Sequence, residues 1–67
     1  MEVVLNGEKK ELEGAPTVEK LLNSLGVRKE LVVVEVNEEI VKRPEYGTRT
    51  LRAGDCIEVV HIVAGGA

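Results

Sequence analysis

The chain has 67 residues, room for one small domain with a thin core, and a core, a substrate pocket and a cofactor site do not fit together in that volume, which argues against an autonomous enzyme. Twelve acidic residues against nine basic ones give a net charge of −3, the wrong sign for a non-specific nucleic-acid binder. One cysteine cannot close an intramolecular disulfide, and one Cys with one His cannot build a structural zinc site, so the fold must stand on packing alone.

Hydrophobic periodicity begins at two. Val3 and Leu5 alternate with Glu2 and Asn6, and Asn6-Gly7 is a strong hairpin signal. Glu8 to Leu12 reads as a polar return strand near a sheet edge. After Gly14-Ala15-Pro16 the period becomes 3.6: Thr17 is a good N-cap, and Glu19 suits the first turn of a helix. Val18, Leu21, Leu22 and Leu25 form one apolar stripe at i, i+3, i+4 and i+7, and Gly26 can stop the helix in a left-handed conformation. Leu31 to Val36 is a β-branched run with apolar residues on both faces, the pattern of an interior strand. Asn37-Glu38 turns the chain into a short strand at Glu39-Ile40-Val41. An irregular stretch around Pro44 and Gly47 follows, then a turn at Ala53-Gly54-Asp55 and a last strand from Ile57 to Val63.

The order β-β-α-β-(β)-β predicts an α+β chain of the β-grasp, or ubiquitin-like, architecture. It has a mixed four- to five-stranded sheet with one main helix packed on one face. A right-handed crossover through the helix is expected to lay the third strand parallel to its sheet neighbour. Residues 1–63 form a single β-grasp domain on this reading, and 64–67 a flexible C-terminal tail. The expected core is Val3, Leu5, Val18, Leu21, Leu22, Leu25, Val34, Val36, Ile57 and Val59. No apolar run reaches the ~20 residues of a membrane span, and Met1-Glu2-Val3 opens a strand pattern without signal-peptide character. These features predict a cytoplasmic protein with no membrane partner.

Catalytic constellations are missing. The one serine, Ser24, lies in the helix, and Gly65-Gly66 lacks the lysine and following helix of a phosphate-binding loop. Cys56 and His61 are five apart on one strand and so project from opposite faces. Cys56 is expected to be a partly buried strand residue, and His61 to face solvent or end the strand. Tyr46, the sole aromatic, either covers the loop end of the sheet or makes a partner contact.

The tail offers chemistry of another kind. A glycine with a free carboxylate can thread a channel too narrow for a side chain and reach ATP in another protein's active site. Its attack on the α-phosphate gives an acyl-adenylate, which a sulfur nucleophile can open. Neither step needs a catalytic group on the carrier. If Ile57 and Val59 face the helix, then Glu58, Val60 and Ile62 face outward. That makes Val60 and Ile62 candidate docking residues beside the tail.

The segment from Leu51 to Gly66, with its Gly54-Asp55 turn, apolar last strand and Gly65-Gly66, resembles the C-terminal signature of ThiS-type sulfur carriers of the ThiS/MoaD ubiquitin-like family. Asn6-Gly7, the Thr17-Val18-x-x-Leu21-Leu22 helix and the segment Val36 to Val41 are similar to the family's N-terminal parts. The resemblance spans nearly the whole chain. It implies a carrier that is a co-substrate of partner enzymes and not itself an enzyme. It further implies that the carrier binds no cofactor of its own and that ATP is used by an E1-like, ThiF-like adenylating partner. Gly66 would carry the adenylate and then the thiocarboxylate, with Gly65 and Ala64 as the threading residues. The sulfur acceptor would be thiazole synthase in thiamin biosynthesis. Ala67 departs from the usual Gly-Gly ending, and some members of the family it resembles carry a residue there that a JAB-type metalloprotease clips. Those carriers serve homocysteine, methionine or cysteine biosynthesis, which is the alternative for this chain. A ubiquitin-like protein modifier and an inert interaction module are the competing readings of other classes.

Overall fold

The computed structural model of the protein describes residues 1–62; the predicted tail at 64–67, with Val63, lies outside them. In chain order the elements are β1 (Glu2–Leu5), β2 (Glu8–Glu11), α1 (Val18–Leu25), β3 (Val32–Val36), β4 (Glu39–Val41) and β5 (Cys56–His61). Short 3-10 turns occupy Lys29–Leu31 and Arg43–Glu45.

Local chemistry explains the boundaries. The β1–β2 hairpin closes through Asn6 and Gly7 at φ +49° and +84°, the left-handed pair that a two-residue turn between twisted strands requires. Asn37 and Glu38 do the same between β3 and β4, at φ +52° and +70°. Helix α1 starts at Thr17, whose Oγ1 accepts the Lys20 N–H at 3.2 Å. The Val18 and Glu19 amides are met by the carbonyls of Arg49 and Tyr46, both at 2.9 Å. The irregular segment after β4 therefore satisfies the donors that a helix start leaves open. Gly26, at φ +70°, ends the helix.

The sheet has five strands in the order β2-β1-β5-β3-β4, with the helix over one face, which is the β-grasp arrangement. One expectation needs correction: β3 is antiparallel to both of its neighbours, β5 and β4. The parallel pair is β1 with β5, in the register Val4↔Cys56 and Leu5↔Ile57. The crossover through α1 does return the chain in the direction of β2. However, β1 and β5 lie between β2 and β3, so those two strands never pair.

Eight of the ten expected core residues are buried, while Leu5 and Leu25 are only partly covered at the margin. The core also takes in Leu12, Val32, Val41, Tyr46 and Leu51. Tyr46 covers the loop end of the sheet from within, at 3 % exposure. Cys56 is exposed, contrary to the expected partial burial, because it shares the outward parity of Glu58 and Val60 on β5. Leu31 belongs to the 3-10 turn before β3, not to the strand. Among the described residues no helix is long and apolar enough to cross a membrane.

Candidate functional site

Strand β5 is the platform for the tail. Its inward residues Ile57 and Val59 pack under α1, while Cys56, Glu58 and Val60 face away from the helix. On that open face Val60 stands opposite Val33 of β3, and Glu58 opposite Glu35. One step further along the same register, the Ile62 N–H donates to the Leu31 carbonyl at 2.8 Å. Leu31, Val33, Val60 and Ile62 thus form two facing pairs at the end of β5 that runs into residue 63. Leu31, Val60 and Ile62 are 47 %, 55 % and 51 % exposed. Three large aliphatic side chains half in water at one end of a strand form a contiguous apolar patch, not scattered surface residues.

The carboxylates of Glu35 and Glu58 come next along the face, followed by Ile40, at 67 % exposure, across from Glu35. Like charges directly opposite one another weaken a sheet, so this pair contributes nothing to the fold. Sequence reasoning singled out Val60 and Ile62 but missed Leu31 and Ile40. Strand parity carried the signal for Ile40, because Val41 points inward.

Two asparagines pin β5 from its flanks. Asn37 Oδ1 accepts the Cys56 N–H at 2.9 Å, and its Nδ2 donates to Asp55 Oδ1 at 2.9 Å. Asn6 Oδ1 accepts the Val59 N–H at 2.8 Å. Sequence reasoning took both residues for turn formers. Their pairing with β5 joins positions far apart in the chain, which a local pattern does not report.

His61 is exposed and lies on the opposite parity from Cys56, so these two residues cannot act as a pair. Among the described residues no group of three His, Cys, Asp or Glu side chains could hold a metal ion. An open cavity of about 460 Å³, lined by Asn37, Thr48, Arg49, Thr50, Arg52 and Asp55, lies at the start of β5, away from the patch. Ala64, Gly65, Gly66 and Ala67, the predicted tail residues, lie outside the described residues.

The model of the ThiS family matches residues 3–66, from the first strand through the second glycine of the tail. The chain belongs to the ThiS family. Its similarity to ThiS of Thermus thermophilus, named as a sulfur carrier protein, is 44 % identity over 96 % of this chain and 98 % of that one. A thiazole synthase of Magnetococcus marinus is 46 % identical over 98 % of this chain. This ThiS-family chain spans about a fifth of that enzyme's length, 20 %. The crystal structure of the thiamine biosynthesis protein ThiS from Geobacter metallireducens superposes with a TM-score of 0.86 at 32 % identity, covering 98 % of this chain and all of that one.

Proposed function

We propose that this chain is a sulfur carrier whose reacting group is the carboxyl of Gly66. The observation that carries the reading is the family match running through Gly66, directly after the exposed patch that ends β5. In the sequence the Gly66 carbonyl is committed to a peptide bond with Ala67, so that bond is cleaved first. The freed carboxylate attacks the α-phosphate of ATP in an E1-like adenylating enzyme; pyrophosphate leaves and the acyl-adenylate forms. A sulfur nucleophile then adds to the acyl carbon and AMP leaves. With sulfide as that nucleophile, Gly66 is left as a thiocarboxylate. Leu31, Val33, Val60 and Ile62 seat the carrier on the adenylating enzyme, and Ala64 and Gly65 thread the channel. This chain contributes docking and reach, and the partner holds the ATP.

Thiazole synthase is the proposed sulfur acceptor, supported by the relative of that name in which a segment like this chain makes up a fifth of the length. Ala67 favours a second reading, in which a JAB-type metalloprotease exposes Gly66 for sulfur transfer in homocysteine or cysteine formation. Both readings need Gly66 free. A chain ending at Gly66 should release pyrophosphate from ATP with the adenylating enzyme, whereas the chain ending at Ala67 should not. The extra residue sets the carboxylate about 3.3–3.6 Å too far along an extended tail. A misplacement of ~1 Å can already cost around a hundredfold in rate. Equal rates for the two chains contradict the need for cleavage.

A further inference from the structure

The open cavity at the start of β5 is separate from the apolar patch. Asp55, on its wall, and Val60, in the patch, are five positions apart, ~16 Å along an extended strand. Four of its six lining residues, Thr48, Arg49, Thr50 and Arg52, come from one segment, and the backbone there is fixed step by step. The Arg49 N–H donates to the Glu45 carbonyl at 2.8 Å, and the Arg49 carbonyl accepts the Val18 N–H at 2.9 Å. Thr50 bridges to Thr17. Leu51 is fully buried, and its N–H donates to the Pro16 carbonyl at 2.8 Å. The Arg52 N–H donates to Asp55 Oδ2 at 2.8 Å, and the Arg52 carbonyl accepts the Asp55 N–H at 3.1 Å. Both arginines therefore rise from a base that needs no ordering when a ligand arrives.

The charges in the cavity are unevenly used. Asp55 is its one acidic lining residue, and both carboxylate oxygens are engaged, Oδ2 by the Arg52 N–H and Oδ1 by Asn37 Nδ2 at 2.9 Å. Among the described residues the guanidiniums of Arg49 and Arg52 make no hydrogen bond or ion pair with the protein. Arg43, by contrast, reaches the Glu30 carbonyl at 3.4 Å, and Lys29 pairs with Glu19 at 3.7 Å. We propose that this cavity is an oxyanion site for a small phosphomonoester, with Arg49 and Arg52 as its binding residues. One guanidinium fork uses both oxygens of a carboxylate, whereas a phosphate monoester offers three free oxygens and close to two negative charges, enough for both forks. The volume of about 460 Å³ lies in the range of small-molecule sites and leaves room for the group that the phosphate carries. Polar residues line it throughout, so that group is polar too.

The probes are inorganic phosphate and methyl phosphate, titrated into the full chain at neutral pH, with sodium chloride holding the ionic strength constant. Nitrogen–proton NMR spectra follow the backbone amides and the arginine side chains. Both probes should give saturable shifts confined to residues 48–52, Asn37 and Asp55, with Kd in the millimolar range, and acetate should bind at least tenfold more weakly. Arg49→Gln and Arg52→Gln should each weaken phosphate roughly tenfold, the loss of one charge-assisted pair. Arg43→Gln should leave the affinity within twofold of the parent. Arg52→Lys keeps the charge and loses the fork, and should fall between Arg52→Gln and the parent. Shifts spread over all the basic residues, or matched by acetate, would reduce the effect to charge screening and overturn the site. Parent-like affinity in both Gln variants would overturn it equally. Binding of inorganic phosphate with exclusion of methyl phosphate would make it a site for the free ion and overturn the phosphomonoester class.

Discussion

Val60, on β5, and Ile62, just past its end, stand half in water ahead of the glycine proposed to react, and little of the fold depends on them. Changing both to Asp removes at most a cross-strand contact such as Val60 with Val33, worth about 0.2–1 kcal/mol. The double variant Val60→Asp, Ile62→Asp should therefore keep the circular dichroism spectrum of the parent. It should nevertheless lose adenylation, because two carboxylates placed in an apolar contact cannot be desolvated without a partner. Full adenylation of this variant would remove the patch from the docking account. At the same scale, Cys56 shows where residue preference misleads. Cysteine is among the most buried residue types, but its parity on β5 is that of Glu58 and Val60, and parity decides exposure in a sheet with one covered face.

Helix α1 was legible because every signal agreed: the Thr17 cap, the apolar stripe and the Gly26 stop all recur in the structure. Leu22 sits in that stripe at 1 % exposure, so Leu22→Ala should cost about 2–5 kcal/mol in urea unfolding. A chain of this length has roughly 3–10 kcal/mol in all, so that one change should bring it close to unfolding. A loss well under 1 kcal/mol would show that the helix is not the lid of the core. The two hairpins offer the opposite test. Glu38 holds φ +70° without the freedom of glycine, a conformation that costs an ordinary residue roughly 1–2 kcal/mol. Glu38→Gly should raise stability by about 0.5–1 kcal/mol after the entropy of glycine is counted. An unchanged or lower unfolding midpoint would mean that the Glu38 side chain makes a compensating contact. Strand existence was legible from period two, but strand partnership was not. Nothing local in Ile57–Val59 states that β5 inserts between β1 and β3, and that insertion is what makes β1–β5 the parallel pair. Burial of Tyr46 and Leu51 was hidden for the same reason. They lie in an aperiodic segment whose backbone is tied to the start of the helix, by Tyr46 O to Glu19 N–H and Leu51 N–H to Pro16 O.

As a whole, the described residues form one α-helix on one sheet, with three of the four exposed large apolar side chains, Leu31, Val60 and Ile62, near the end of β5 that leads to residue 63. Such a domain has the means to be recognised and to present its end, which is the division of labour proposed between this carrier and its activating enzyme. The claim that joins these scales is that Gly66 carries sulfur. Mass spectrometry of the protein recovered from its own cells tests it most directly. The account predicts a species whose last residue is Gly66, heavier than the free acid by the exchange of one oxygen for one sulfur. A Gly66–Ala67 bond intact in every recovered species, or Gly66 found in isopeptide linkage to lysines of other proteins, would contradict it.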